Sequence, residues 1–311
     1  MKKWILKAIV QKTIASLPFS FRLNYLFQKH ITKAVVLNKD FFEDLLRHSG
    51  ILLTQHTKFN STGLSAKRVL ELGTGWHPIV PIAFFLSGAK EIVTVDLRDL
   101  IRKENIETLI AWFLRYEESG ELKKFIPFID QDRLQLLHAI DQNIEHLSVQ
   151  DILAQLHIKH EIGDITQMNL QANSFDVMSS VNVLEHIYAE YLGEILQTMS
   201  ELSTKGSFHY HSFGCYDHFY HIDKSISKFN FLQYSQKKWR FIDNDIQPQN
   251  RLRVNQIGDL LRKVGFSVLA ELHSAPNLEE YTKVKVHPDF ARLDPAVSAI
   301  DYGTYVLTVT R

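Results

Sequence analysis

Short apolar runs alternate with amphipathic helical stretches along most of this chain. Two β-rich runs, Arg68–Leu72 and Glu91–Asp96, lie on either side of an apolar helix predicted over 78–86. They form a strand–helix–strand unit of about thirty residues, the unit that builds a parallel sheet. The pattern therefore predicts an α/β protein.

The apolar pattern predicts five more strands after this unit. They are expected at 160–163, 175–180, 206–212, 266–272 and 304–310. A helix begins near Ile187, and another is expected to start from Asn255 as its N-cap and to end at Gly265. Strands that alternate with helices in this way favour a largely parallel sheet.

Three segments lie outside the sheet pattern. Residues 1–62 are predicted to form an N-terminal helical lobe, and 63–311 to form the sheet domain. A helical insertion is expected at about 100–158, because this stretch is longer than one crossover helix needs. The aromatic and basic stretch at about 213–253 is predicted to cover a substrate site, or alternatively only the edge of the sheet.

The composition narrows the classes of partner. Lys+Arg and Asp+Glu both number 35 among 311 residues, so the net charge is zero and nucleic acid is not expected as a partner. The single cysteine, Cys215, excludes an internal disulfide framework and fits a cytoplasmic protein. No run is long enough for a transmembrane helix. A weaker alternative places the N-terminal helix on a membrane surface through Trp4, Ile5 and Leu6.

Acidic residues and glycines lie where the first predicted strands end. Gly73 and Gly75 allow a tight turn that brings backbone close to a ligand. Asp96 ends the second strand, where a carboxylate can accept hydrogen bonds from both hydroxyls of a ribose. Asp164 follows the third strand and can accept a hydrogen bond from an exocyclic amine such as that of adenine. The alternative is a structural turn with aspartates that only cap helices.

The order of Glu71-x-Gly-x-Gly, Asp96, Gly163-Asp164 and the Val-Leu-Glu-His of Val183–His186 resembles class I S-adenosylmethionine-dependent methyltransferases. Within them it resembles a bacterial type with this V-L-E-H sequence, over about residues 66–212. The resemblance implies a Rossmann-like seven-stranded sheet whose last strand is antiparallel, between strands five and six. It implies S-adenosylmethionine as cofactor, bound by Glu71, Gly73, Thr74, Gly75, Asp96, Leu97, Asp164, Ile165, Val181 and Asn182.

A nicotinamide-dependent oxidoreductase is the main alternative of the same architecture. Its fingerprint needs a third small residue at the position that Pro78 occupies, so that a helix N-terminus can face the pyrophosphate. Glu71 would also place a negative charge near a diphosphate, whereas it suits the ammonium and sulfonium groups of the methyl donor. A second alternative is a protein that binds the cofactor without catalysis.

Candidate catalytic residues cluster after the fourth and fifth strands. His218 or His221, oriented by Asp217, is expected to act as general base for a small acceptor, at oxygen rather than nitrogen. His186 is a further candidate, although a structural role is favoured for it. A divalent metal held by His and Asp of this segment is the alternative, but no ligand set is assigned because the spacing matches no zinc template. The third possibility is a hydrogen-bonded cap without catalytic function.

Overall fold

A computed structural model of the chain describes residues 2–20, 23, 25, 35–60 and 63–310. Seven strands form one sheet: β1 (Arg68–Leu72), β2 (Glu91–Asp96), β3 (Ile158–Ile162), β4 (Phe175–Val181), β5 (Ser203–Gly214), β6 (Phe266–Glu271) and β7 (Tyr302–Val309). Their order is β3-β2-β1-β4-β5-β7-β6. The first five strands run parallel, and β7 is antiparallel to both β5 and β6. The predicted sheet, with its antiparallel last strand between β5 and β6, is confirmed.

Helices of the described residues cover both faces of this sheet or pack beside it. They are α1 (Lys3–Ala15), α2 (Lys39–Asn60), α3 (Ile79–Leu86), α4 (Lys103–Glu118), α5 (Gln131–Asn143), α6 (Val149–Gln155), α7 (Ala189–Leu202), α8 (Gln236–Ile242), α9 (Val254–Lys263), α10 (Leu278–Thr282) and α11 (Pro295–Ser298). Helices α4, α5 and α6 occupy the predicted insertion between β2 and β3. None of the helices in the described ranges combines the length and apolarity needed to cross a membrane.

Side chains of the central strands alternate between two apolar cores, as the two-residue period of a strand requires. Val69 and Val177 belong to the core that α2 to α6 cover, whereas Leu70 and Met178 point to the core that α7 and α9 cover. This burial on both faces explains why the central strands were readable as short apolar runs. The edge strand β3 is mostly exposed, and it begins at Ile158, two residues before its predicted start.

Two predicted helix starts need correction. Helix α9 begins at Val254 with Arg253 as its N-cap, and the side chain of Gln256 accepts a hydrogen bond from the Arg253 N–H at 2.9 Å. The predicted cap, Asn255, therefore lies inside the helix. Helix α7 begins at Ala189 rather than near Ile187, because a 3₁₀ turn over Leu184–His186 comes first.

The N-terminal segment packs in two places. Helix α2 contributes Phe42, Leu46 and Leu52 to the core on one face of the sheet. Helix α1 instead joins a separate aromatic cluster with residues of the 213–253 excursion, among them Phe219 and Trp239. The predicted boundary between the lobe and the sheet domain falls at 61–62, outside the described residues, and the division at 62 stays a prediction.

Candidate active site at the carboxyl ends of the strands

The turn after β1 has a backbone that requires glycine. Gly73 and Gly75 have φ of +81° and +67°, the left-handed region that side chains disfavour. The Gly73 N–H donates to the Val95 carbonyl at 2.7 Å, which holds the turn against the end of β2. A Cβ on Gly73 would lie 2.3 Å from a methyl group of Val183, in the loop after β4. The turn and the β4 loop are thus in direct contact.

Asp96 joins the end of β2 to the same turn. Its Oδ2 accepts a hydrogen bond from the Gly75 N–H at 3.0 Å, and its Oδ1 accepts one from the Arg98 N–H at 3.1 Å. A carboxylate oxygen has a second lone-pair direction beyond the bond it already accepts. Asp96 is therefore fixed in place and still able to accept hydrogen bonds from a ligand.

Glu71 is a buried carboxyl group beside Asp96. The residue is 4 % exposed, and its Oε2 has no hydrogen-bond partner among the described residues. Burial, together with the nearby Asp96 carboxylate, raises the pKa of Glu71 well above its ordinary value. A buried carboxyl group without a partner is costly, and a cationic ligand group would offset that cost. This site fits an ammonium group.

Asp164 lies at the same edge of the sheet. The Gly163 N–H donates to the Asp96 carbonyl at 2.8 Å, so the residue before Asp164 is bonded directly to the end of β2. Asp164 is exposed, and its Oδ1 accepts hydrogen bonds from the Thr166 N–H and hydroxyl, both at 2.9 Å. The structure thus brings Glu71, Asp96 and Asp164 to one edge of the sheet, as the sequence analysis requires.

The remaining predicted cofactor residues lie around this edge. Thr74 is buried with a hydroxyl that has no partner in the described chain, and Leu97 is exposed. Val181 ends β4 and is buried. Asn182 follows with φ of +57°, an uncommon conformation for a residue with a side chain. Such strained positions concentrate at functional sites.

A hydrogen-bonded network that includes Asn182 was not predicted from the sequence. The Tyr302 hydroxyl donates to the Asn182 Oδ1 and lies 3.1 Å from His48 Nε2. His48 Nδ1 in turn lies 2.7 Å from the Tyr210 hydroxyl. His48 and Tyr302 are separated by 254 positions, so no local pattern links them. The network ties α2 and β7 to the loop after β4.

The start of α3 differs from a pyrophosphate site. Helix α3 has Pro78 as its N-cap, and all its residues are buried. His77 is also buried, with Nε2 3.1 Å from the Val35 carbonyl. Pro78 therefore occupies the position where a dinucleotide fingerprint keeps its third small residue. The preference of this turn for a ligand without a diphosphate stays a prediction.

Glu185, His186 and His218 form a compact cluster at the ends of β4 and β5. One donor atom of each lies within 4.8 Å of the others. Glu185 Oε1 accepts from the Gly214 N–H at 2.9 Å, while its buried Oε2 has no partner in the described part of the chain. His186 Nδ1 lies 2.8 Å from the Pro248 carbonyl. Burial raises the pKa of Glu185 and lowers that of His218 well below its ordinary value.

His221 and Asp217 flank this cluster differently. His221 is exposed, and its Nε2 lies 2.9 Å from the Tyr216 hydroxyl. Asp217 is buried, and it accepts hydrogen bonds from the Phe219 N–H and the Asn230 side-chain amide, both at 2.9 Å. Burial raises the pKa of Asp217 to about 6. These bonds show Asp217 as an anchor of the turn over 218–221, and its catalytic role stays a prediction.

Other polar residues of the histidine-rich segment have structural partners. His209 and His211 lie inside the protein on β5, against Phe266, with hydrogen bonds to the Ser203 and Ser180 hydroxyls at 2.9 and 2.8 Å. They do not reach the edge where Asp96 lies.

Three charged residues of the 213–253 excursion are also structural. Asp223 accepts from the Trp4 N–H at 3.3 Å. Arg251 and Arg253, at the end of the basic stretch that was predicted to cover a substrate site or the sheet edge, are buried and donate to backbone carbonyls. Lys7 of α1 acts electrostatically on Asp217, His218 and His221, and Lys224 and Lys228 of the excursion also act on His221.

Helix α1 packs against the segment that contains Asp217, Phe219 and His221. The Trp4 and Phe219 ring centroids are 5.7 Å apart and Trp4 is packed inside the protein, whereas Leu6 is exposed; contact of this helix with a membrane surface stays a prediction. The Lys7 Nζ lies 5.8 Å from the Phe219 ring centroid, and burial lowers the pKa of Lys7 to about 8. Neither residue was recognised as a site residue in the sequence, because α1 is 200 positions away from this segment.

Comparison with known proteins gives similarities of fold. No protein-family model matches the chain, and no curated protein matches it. Among solved structures, phosphoethanolamine N-methyltransferase 2 of Haemonchus contortus, in complex with S-adenosyl-L-methionine, is 12 % identical with a TM-score of 0.49, over 94 % of this chain and 61 % of that one. A 1,6-didemethyltoxoflavin N1-methyltransferase of Burkholderia thailandensis is 12 % identical, with a TM-score of 0.46 and 96 % and 93 % coverage. The [4+2]-cyclase SpnF is 12 % identical, with a TM-score of 0.42 and 84 % and 81 % coverage.

Proposed function

We propose that this chain is an S-adenosylmethionine-dependent methyltransferase that methylates an oxygen of a small molecule. One observation carries the proposal: Asp96 is hydrogen-bonded to the glycine turn, and the buried, unpartnered carboxyl group of Glu71 lies beside it. This arrangement offers two carboxyl groups to a ligand at the carboxyl ends of parallel strands, where open α/β sheets bind their ligands.

The charge of the site favours this cofactor over a dinucleotide. Asp96 accepts the ribose hydroxyls, Glu71 receives the ammonium group, and Asp164 with Ile165 frames the adenine. Thr74, Leu97, Val181 and Asn182 complete the surroundings. A pyrophosphate at this turn would face the Glu71 carboxyl group, and Pro78 stands where the fingerprint keeps a small residue at the helix N-terminus; both would weaken its binding.

The acceptor binds near His186, His218 and His221. When bound, the cofactor supplies a methyl group already activated by its sulfonium. The acceptor oxygen attacks the methyl carbon, the C–S bond breaks with its electron pair left on sulfur, and the hydroxyl proton goes to a base. His221 is that base, because it is exposed and hydrogen-bonded to Tyr216. His218 and His186 line the acceptor oxygen, and Asp217 positions the turn.

Calorimetric titration tests the cofactor, and labelled transfer tests the reaction. We expect the purified protein to bind S-adenosylhomocysteine and not a nicotinamide cofactor. Incubation with methyl-labelled donor and a metabolite extract should produce a labelled small molecule, identified by its mass shift. Preference for the nicotinamide cofactor would contradict the proposal. Binding of S-adenosylhomocysteine, without methyl transfer to any component of several extracts, would instead favour the non-catalytic alternative.

A further inference from the structure

We infer that Glu185, His186 and His218 bind a divalent transition-metal ion, such as Zn²⁺, that receives the acceptor oxygen. This deepens the proposed function, on which its catalytic role rests. The donor atoms of the three side chains lie within 4.8 Å of one another. A tetrahedral zinc site places donor atoms about 3.4 Å apart, so side-chain shifts of roughly one ångström would close the set.

Glu185 has a buried carboxylate oxygen that a cation would satisfy. The residue is 2 % exposed, and its Oε1 is held by the Gly214 N–H at 2.9 Å. The other oxygen, Oε2, is buried without any hydrogen-bond partner among the residues described. Carboxylates buried in proteins are normally paired with cations or coordinate metals. A metal ion at this position would satisfy the free oxygen, while the bond to Gly214 keeps the carboxylate oriented.

The two histidines present nitrogen atoms prepared for coordination. His186 Nδ1 lies 2.8 Å from the Pro248 carbonyl, which only accepts, so Nδ1 carries the proton and Nε2 keeps its lone pair. A carbonyl partner of this kind orients metal-binding histidines in many sites. The His218 backbone N–H donates to the Gln249 side chain at 3.2 Å, which fixes the start of its turn. The His186 and His218 rings meet edge to face, with centroids 4.8 Å apart.

The ligand set indicates the kind of ion. Two imidazoles and one carboxylate favour Zn²⁺ and neighbouring transition metals over Mg²⁺ or Ca²⁺, which prefer oxygen ligands. Three protein ligands leave a coordination position open, as in catalytic zinc sites. An acceptor hydroxyl in that position would lose its proton more readily, and the proton would pass to His221. His186 and His218 would then act as ligands, not as bases.

Metal binding can be measured without any turnover. Chelator-treated protein, free of any affinity tag, is titrated with Zn²⁺ by calorimetry and with Co²⁺ by visible absorption. We expect one tight ion per chain and a d–d spectrum of low coordination number. Glu185→Gln, which keeps the Gly214 bond, and His218→Ala should each weaken Zn²⁺ binding at least tenfold and change the Co²⁺ spectrum.

A surface histidine provides the matched control. The side chain of His138, on α5, is 41 % exposed, and His138→Ala should leave both titrations unchanged. Circular dichroism and thermal unfolding confirm that each variant is folded. Equal Zn²⁺ affinity and an unchanged Co²⁺ spectrum in both folded site variants would overturn the inference, as would the absence of tight binding to the wild-type protein.

Cofactor binding distinguishes this inference from the proposed function. The same protein samples are titrated with S-adenosylhomocysteine. Binding of this ligand without tight Zn²⁺ binding removes the metal site and leaves the methyltransferase proposal in place. Tight Zn²⁺ binding lost in Glu185→Gln, but without any binding of S-adenosylhomocysteine, supports the metal site and removes the methyltransferase proposal.

Discussion

The Asp96 carboxylate accepts a hydrogen bond from the Gly75 N–H at 3.0 Å. This bond connects the end of β2 to the turn after β1 and holds a carboxylate against the backbone of that turn. Under the proposed function, Asp96 would therefore shape the cofactor site in addition to contacting the cofactor.

Replacing Asp96 should weaken cofactor binding, and more in one variant than in the other. Asp96→Ala removes the acceptor of the Gly75 N–H and of the ribose hydroxyls, and we expect at least a tenfold loss of S-adenosylhomocysteine affinity by calorimetry. Asp96→Asn keeps one oxygen acceptor and should lose less. Unchanged affinity in Asp96→Ala would show that the cofactor does not bind at this edge.

Glu71→Gln should have opposite effects on stability and on binding. The pKa of Glu71 is raised by burial, so its contribution to stability is lost as the pH rises and the carboxyl group ionises. At pH 8 the variant should therefore unfold at a higher temperature than the wild-type protein. S-adenosylhomocysteine affinity should fall about tenfold or more, because the ammonium loses its carboxylate.

5′-Methylthioadenosine is the matched ligand control for Glu71, since it lacks the amino-acid part. Its affinity should stay within about twofold of wild type in Glu71→Gln. An equal loss for both ligands would place Glu71 away from the ammonium group.

His221→Ala and His218→Ala should separate binding from turnover. Neither side chain touches Asp96 or the glycine turn, so we expect both variants to bind S-adenosylhomocysteine as the wild type does. Methyl transfer from labelled donor should fall about 10²-fold or more, the usual contribution of a positioned base or ligand. Full transfer by both variants would exclude the histidines from catalysis.

Asp243 should make the folded protein less stable as the pH rises. Burial raises its pKa from the ordinary 3.8 to about 7, and its Oδ1 accepts from the Gln249 N–H at 3.1 Å. Because the folded form binds this proton more tightly, its stabilising effect is complete below about pH 4 and lost as the pH passes about 7.

Asp243→Asn keeps the acceptor for Gln249 and removes the titration. At pH 8 we expect it to be more stable than wild type by about 1–2 kcal/mol, a partial effect because the group retains solvent contact. At pH 4 the two proteins should be similar. Urea midpoints at both pH values measure this, and an identical difference at the two pH values would contradict the assignment.

The central sheet was predictable because its strands are buried on both faces. Strand β1 and strand β2 lie where the apolar runs placed them, and the antiparallel β7 agrees with the family resemblance. The edge strand β3 was displaced by two residues because exposed positions carry no apolar signal. The places of Gly73 and Asp96, at the ends of β1 and β2, were also predictable, because strand ends and glycines are local features of the sequence.

Long-range partners explain the errors. Arg253 lies in the basic stretch that was predicted to cover a substrate site, yet its guanidinium donates to the carbonyls of Cys215 and Ser298, 38 and 45 positions away. A sequence shows which groups are polar, but not which distant backbone atoms form hydrogen bonds with them. For the same reason, it did not reveal that one carboxylate oxygen of Glu185 is buried without a hydrogen-bond partner among the described residues.

The contact between α1 and the excursion after β5 also sets an order of events during synthesis. The Trp4 N–H is bonded to Asp223, 219 positions later in the chain. At ribosomal speeds of about 5–20 residues per second, the first helix waits roughly 10–45 s for its partner to emerge. Strands β1 to β5 are made during that interval, so the contact between α1 and the excursion can form only after the parallel part of the sheet has been synthesised.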